Sequence, residues 1–418
     1  MDIRKIVIKG LFGTIDHEIE LSDSISILMG ENGVGKTAIL NIVKAIFEND
    51  FDTLLSYRFN TIKVCLKSKR SGCIEYFHED GSIHVSSSSK NNQDFIIGAD
   101  DIDFDVPPYM RQVSHNRWFD IHSRVYYTTD ELRDFTERDI IRISEGKIKE
   151  WYLDLIKATR VKMIGTQRLY QFSNFGRSKD IMKINSFSKD FVKYISSELS
   201  NAGKQSAELD RTFPTRLVRQ LKGNKNYKSA ELIQDLEQLE TLRSTLSEVG
   251  FLDKIDINIE GILGEKTNNR VLMNVIKLYI SDSQEKLEKY KTAADKVSLF
   301  LRIINNRLKA KRLSIDTEKG FIVNSLKNTD KDSIDIDQLS SGEQNEIVLF
   351  YDLIFNCDKC SLVLIDEPEI SLHLEWLQQM LGDFKDIVNL NGMKMLIATH
   401  SPDFVGDNYD LVQNLTYE

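Results

Sequence analysis

The chain has 418 residues, 41% hydrophobic and 28% charged, with a formal net charge of −9 at pH 7. That length outgrows one hydrophobic core, so a large domain with an insertion or a pair of domains is expected, and the acidic balance disfavours a broadly basic nucleic-acid binder without excluding a local basic groove. No apolar run approaches the roughly 20 residues of a membrane span, and Asp2-Ile-Arg-Lys-Ile-Val-Ile8 has no signal-peptide core, so a cytoplasmic chain without membrane contact is expected.

Ile3 to Lys9, His17 to Leu21 and Ser24 to Met29 read as strands. Directly after them comes Gly30-Glu31-Asn32-Gly33-Val34-Gly35-Lys36-Thr37, which matches the phosphate-binding loop G-x-x-x-x-G-K-[ST]. Ala38 to Phe47 is apolar-periodic and reads as the helix that such a loop opens. Backbone N–H groups of the loop and of the helix N-terminus then face phosphate oxygens. Gly33 and Gly35 let the backbone come close, Lys36 reaches the terminal phosphates, and the Thr37 hydroxyl can hold Mg²⁺.

Thr61 to Lys67, Cys73 to Phe77 and Ser82 to Val85 continue the strand-rich region, with Ser71-Gly72 and Asp80-Gly81 as turns. Residues from about 130 to 160 turn helical, and Val161 to Ile164 is a short strand. From about 185 to 310 long charged helices dominate, including Ser229 to Glu248 and Val271 to Lys311. A short antiparallel coiled-coil arm and a compact helical insertion both accommodate this pattern. Basic clusters occur at Arg216, Arg219, Lys222, Lys225 and Lys228, and again from Lys286 to Arg312. They are solvated helix faces or contacts to phosphates or an acidic partner. Strand character returns at Leu313 to Val323. Cys357 and Cys360 form a C-x-x-C with no second pair at metal spacing, which reads as thiols in a turn. Four cysteines in so long a chain do not make a disulfide framework.

Ser361 to Glu369 is an apolar strand ending in Asp366-Glu367-Pro368-Glu369. Ligands of parallel sheets bind beyond the carboxyl ends of the strands. Asp366 is therefore placed to hold Mg²⁺ directly or through water, and Glu367 to orient and deprotonate an attacking water.

Leu339-Ser-Ser-Gly-Glu-Gln344 precedes a helix from about Asn345 to Phe355, and here the chain resembles the signature motif of ABC-type ATPases in its SMC-like and RecF-like form. Ser340 and Gly342 match the motif, Ser341 replaces its first glycine, and Glu343 stands where glutamine is more usual. A capping box alone would also explain the string. Leu396-Ile-Ala-Thr-His-Ser-Pro402 resembles the switch-histidine loop of the same superfamily, with His400 at the γ-phosphate, and Gln167 after Val161–Ile164 resembles its Q-loop glutamine, near the metal or the lytic water. The resemblance implies an α/β ABC-type ATPase head with ATP and Mg²⁺ as cofactors. Lobe I would span 1–184, a helical or coiled-coil insertion 185–311, and lobe II 312–418. It also implies a head-to-head dimer or higher homo-oligomer. In each composite site Gly30–Thr37, Gln167, Asp366, Glu367 and His400 of one copy would face Ser340, Ser341 and Gly342 of the other.

Asp366 to His373 looks like the SMC, RecF and OLD-type branch rather than a transporter subunit, and the short stretch after His400 leaves no room for a Toprim nuclease of the OLD kind. Gln205–Pro214, Leu339–Glu346 and His400–Asp407 are similar to standalone ATPases of bacterial anti-phage systems. AriA-type ATPases of PARIS systems, paired with a Toprim-like effector, are the nearer likeness. PtuA-type ATPases of Septu systems, paired with an HNH nuclease, are the alternative. The likeness implies a scaffold that holds a toxic effector nuclease and releases it on a phage-encoded trigger. A RecF- or SMC-like DNA-repair ATPase is the competing class, and the acidic balance does not favour its DNA contact.

Overall fold

A computed structural model describes residues 2–417 apart from 68–71, 90, 105, 107, 115–116, 123, 130–131, 133–140, 145, 167–169, 172–180, 223–226, 253–268, 327–332, 358–359, 371 and 373. β1 (Ile3–Leu11), β2 (Ile15–Glu20) and β3 (Ile25–Met29) open the chain, and α1 (Lys36–Phe47) and α2 (Phe51–Ser56) follow the phosphate loop. A run of strands comes next: β4 (Thr61–Leu66), β5 (Cys73–Glu79), β6 (Ser82–Ser87), β7 (Phe95–Gly98), β8 (Ile102–Phe104), β9 (Met110–Ser114), β10 (Arg117–Asp120), β11 (Tyr126–Thr128) and β12 (Ile141–Ile143). Helix α3 (Glu150–Ala158) leads into β13 (Val161–Ile164), followed by the short strands β14 (Tyr170–Gln171) and β15 (Ile181–Met182). Long helices α4 (Lys183–Lys222), α5 (Ser229–Glu248) and α6 (Arg270–Arg307) precede β16 (Lys311–Asp316), β17 (Gly320–Ser325) and β18 (Ser333–Ile334). The chain finishes with α7 (Ser341–Tyr351), a π-helical turn (Asp352–Asn356), β19 (Leu362–Asp366), α8 (Leu374–Asn391), β20 (Lys394–Thr399), α9 (Pro402–Val405) and β21 (Val412–Asn414).

Two compact units divide these elements, residues 1–183 with 340–418 and residues 184–339. By compactness residues 312–339 group with the long helices, whereas the sequence reading opened lobe II at 312. Of the helical stretch expected from about 130 to 160, Glu150–Ala158 is a helix and Ile141–Ile143 pairs with Ile102–Phe104 as a strand instead, while 130–131, 133–140 and 145 lie outside the described residues.

The first unit carries two main sheets. Order β13-β19-β20-β3-β21 forms the parallel one, and β2-β1-β4-β5-β6-β7 the antiparallel one. Every residue of β19 and β20 is buried, as the continuous apolar run of a doubly covered parallel strand requires. In β2, by contrast, buried and exposed residues alternate strictly, the pattern of a strand with one wet face. Helix α1 buries Ile39, Leu40, Ile42, Val43 and Ile46, and these join Ile6 and Ile8 of β1 and Leu364 of β19 in one core. Each such side chain contributes about 1.5–3 kcal/mol on burial. Cys65 and Cys73 are register partners in the β4–β5 ladder and are joined by a disulfide, a bridge the cysteine count did not anticipate.

In the second unit Leu232 and Leu236 of α5 pack on Met273, Ile276 and Ile280 of α6. Parts of both basic clusters are neutralised internally. Arg216 is bidentate to Asp282, with one contact of 2.7 Å, and Lys286 meets Asp210 at 2.5 Å.

Candidate nucleotide site

The phosphate loop lies between a strand buried on both faces and a helix whose first residues are Lys36 and Thr37, so the loop backbone opens the helix N-terminus. Gly35 caps the helix at φ 96°, and a Cβ there would fall 2.9 Å from Leu11 Cδ2. Only glycine tolerates both. At Gly30 the reason is different: a Cβ would fall 2.8 Å from the Leu415 carbonyl oxygen. Strand β21 runs parallel to β3, and the Leu415 N–H then donates to the Met29 carbonyl at 2.7 Å. Two residues on, the Tyr417 hydroxyl donates to the Asn32 carbonyl at 3.0 Å. On the other flank, His17 is buried and hydrogen-bonds through Nε2 with the Val34 carbonyl at 2.9 Å. The loop is thus gripped from β2 and from the segment after β21. Glu31, Asn32 and Gly33 at its crest remain exposed, while Val34 and Lys36 are buried.

Lys36 donates from Nζ to the Gly30 and Glu31 carbonyls at 2.7 and 2.9 Å, folding its ammonium back over the loop. The Thr37 hydroxyl donates to the Asp366 carboxylate at 3.0 and 3.2 Å, joining residues 329 positions apart in sequence. Asp366 ends β19 and is itself buried, and burial pushes its carboxyl up from the ordinary value. The Thr37 hydroxyl and the Lys36 ammonium oppose that rise, while Glu367 and Glu369 add to it. A hydroxyl beside a carboxylate that lacks enough positive charge is a donor set that fits a hard divalent cation. Mg²⁺ therefore fits Thr37 and Asp366.

Glu367 turns the chain sharply out of β19 at φ 43°, with its N–H donating to the Ala398 carbonyl at 2.9 Å. A non-glycine residue at positive φ is uncommon and persists where the surroundings hold it. His400 stands at the end of the neighbouring strand β20, with Nδ1 at 3.5 Å from Oε1 of both Glu367 and Glu369. The parallel sheet thus collects Lys36, Thr37, Asp366, Glu367 and His400 at the carboxyl ends of three adjacent strands.

Ser340, Ser341 and Gly342 form the N-terminus of α7, which starts earlier than the Asn345 expected from sequence. Ser340 and Glu343 make a full capping box. Glu343 Oε2 accepts from the Ser340 N–H at 2.8 Å and from its hydroxyl at 3.0 Å. Among the described residues the hydrogen bonds of Ser340 run within its own turn, to Glu343 and Gln344, and not to the phosphate loop, Asp366 or Glu367. Gln167 lies outside the described residues. Cys360 N–H donates to the Cys357 carbonyl at 3.0 Å in the turn before β19, and hydrogen bonding to Cys360 together with burial pushes the Cys357 thiol up, away from a reactive thiolate.

Sequence reasoning missed Glu369, His17 and Tyr417. Glu369 was visible as one more acid in Asp-Glu-Pro-Glu, but nothing local distinguishes a buried carboxylate from a solvated one. The contacts of His17 and Tyr417 lie across the fold and leave no trace in the motif.

A family model described as AAA ATPase domain (AAA_15) matches residues 1–405. No curated protein gives a match. Among solved structures, the chain is similar to the Smc head domain with an extended coiled coil bound to the C-terminal domain of ScpA, from Pyrococcus furiosus, at 14% identity over 100% of this chain and 94% of that one, with a TM-score of 0.38. It is similar to the SMC head domain from Thermotoga maritima at 10% identity, covering 100% and 95% of the two chains with a TM-score of 0.39. For a SmcHead bound to the C-winged helix domain of ScpA the identity is 10%, the coverage 97% and 91%, and the TM-score 0.41.

Proposed function

Because the chain belongs to the AAA_15 family of AAA ATPase domains, we propose that it binds ATP at Gly30–Thr37 and hydrolyses it to ADP and phosphate. The observation that carries this reading is the Thr37 hydroxyl on the Asp366 carboxylate, which joins the loop to the acidic strand end. Loop N–H groups and Lys36 bind the phosphates, the ammonium exchanging the Gly30 and Glu31 carbonyls for phosphate oxygens. Mg²⁺, held by Thr37 and Asp366, would neutralise charge on the terminal phosphates when bound. Glu367 takes the proton from the attacking water, and His400 steadies the γ-phosphate. Ser340, Ser341 and Gly342 act on the nucleotide of a second copy, so turnover requires self-association.

Within the cell this ATPase serves as the sensor and scaffold of an anti-phage system, holding a separate effector nuclease until a phage-encoded trigger arrives. Support for this finer role comes from the strings Gln205–Pro214, Leu339–Glu346 and His400–Asp407. Closure of paired heads on ATP provides a two-state element, and a partner that binds one state better shifts its balance.

Lys36→Ala is expected to abolish nucleotide binding, and Glu367→Gln to bind ATP while losing turnover by at least about a hundredfold. Fluorescent-nucleotide titration and phosphate release measure the two effects. Unchanged turnover in Glu367→Gln sinks the base assignment. Affinity purification of the Glu367→Gln protein in ATP, with mass spectrometry, tests the cellular role. A co-purifying Toprim-like nuclease supports the PARIS-type reading and an HNH nuclease the Septu-type one. DNA without a stoichiometric protein partner moves the chain to the repair class.

A further inference from the structure

Glu369 is 8% exposed, yet the chemistry described so far makes no use of its carboxylate. Its Oε1 accepts the hydroxyl of Thr399, a residue with no exposed surface, and the backbone N–H of His400 at 3.1 Å. The Thr399 hydroxyl oxygen in turn accepts the Ser401 N–H at 3.0 Å. The last residue of β20 and His400 therefore hang on one carboxylate oxygen, and Ser401 is tied to it through Thr399. The second oxygen, Oε2, is buried with no hydrogen-bond partner among the described residues. Burying a carboxylate with half its acceptor capacity unmet costs more than an apolar side chain at the same place, so stability alone does not account for it.

The imidazole of His400 lies beside this carboxylate, with Nδ1 3.5 Å from Oε1 of Glu369 and equally far from Oε1 of Glu367. The imidazole is half exposed, and at 3.5 Å its Nδ1 stands just beyond ordinary hydrogen-bond distance of either carboxylate. A histidine whose one ring nitrogen is held by a carboxylate has its tautomer and ring plane set, and presents the other nitrogen outward.

We infer that Glu369 is a positioning residue for His400: it anchors the turn through Thr399 and the His400 N–H, and accepts the Nδ1–H hydrogen bond of the doubly protonated ring, so that Nε2–H faces the γ-phosphate. The imidazole then leans on Glu369 rather than on Glu367, whose carboxylate is needed for water. This inference rests on the reading that His400 acts on ATP.

The test is a double-mutant cycle on ATP turnover by the full chain, using Glu369→Gln, His400→Ala and the two together. Glu369→Gln lowers kcat by roughly tenfold, the scale of one hydrogen bond to a charged group, and leaves KM for ATP within about twofold. In the His400→Ala background the same substitution has no further effect on kcat. An equal loss in both backgrounds, or wild-type kcat in Glu369→Gln, overturns the inference. Wild-type kcat in His400→Ala overturns it too, and marks the failure as that of the histidine reading. Should Glu369→Gln not fold, Glu369→Asp keeps the charge, and its loss of kcat must likewise vanish in the His400→Ala background.

Discussion

Thr37 has a single methyl and a single hydroxyl, and only the hydroxyl meets Asp366. Thr37→Val keeps the shape and removes the donor, leaving a buried carboxyl with less to oppose its rise. It is expected to weaken nucleotide binding by about tenfold in Mg²⁺ and to change it little in EDTA, whereas Thr37→Ser retains both values. Titration with a fluorescent nucleotide under the two conditions checks this, and equal losses with and without the metal count against the assignment. Such residues were legible in sequence because the motif is contiguous and its chemistry dictates residue types. Glu369 was not, since its meaning lies in Thr399 and His400, supplied by a different strand. Tyr417 was not either, for it touches Asn32 from 385 positions away.

At the scale of elements, the end of α7 is tied to β13. Lys162 of that strand donates to Asp352 at 2.7 Å, and Lys183 stands 3.7 Å from the other carboxylate oxygen. Burial works against ionisation of Asp352, yet the two ammonium groups outweigh it and hold the carboxyl below its ordinary value. A carboxyl lowered in the folded state contributes stability that is fully present above the ordinary carboxylate range and is lost as pH falls through the lowered value. Asp352→Asn should therefore cost about 3 kcal/mol at neutral pH, and the gap in Tm from wild type should narrow in strong acid. Thermal melts across pH decide it, and a gap independent of pH would falsify the ion-pair explanation. The strands of this region were read well from alternation and apolar runs, as β4, β5 and β6 show. Ile141–Ile143 was not, because its pairing with β8 is a tertiary choice that local periodicity does not encode. The early start of α7 was hidden in plain sight: Ser340 and Glu343 form the capping box that the string itself spells.

For the molecule as a whole, the parallel sheet interleaves chain segments from either side of the long helices. β3 and β13 come from before residue 184, and β19, β20 and β21 from after 339. Each segment's strands lie against strands of the other, so the first unit is held by hydrogen-bond ladders rather than by chain continuity. Cutting the backbone at an engineered protease site after Lys222 is expected to leave two fragments that co-elute on size exclusion and bind ATP within about threefold of the intact chain. Separation of the fragments without denaturant would show that continuity matters more than the ladders.

The same interleaving sets a timetable for synthesis. Thr37 leaves the ribosome 329 residues before Asp366, an interval of roughly 15–65 s at ordinary elongation rates. Throughout it β3, a strand whose neighbours β20 and β21 are both still unmade, exposes two bare hydrogen-bonding edges on an apolar Ile-Ser-Ile-Leu-Met segment. The nascent chain cannot assemble its nucleotide site in that time, so the newborn protein depends on protection from aggregation until its last strands emerge.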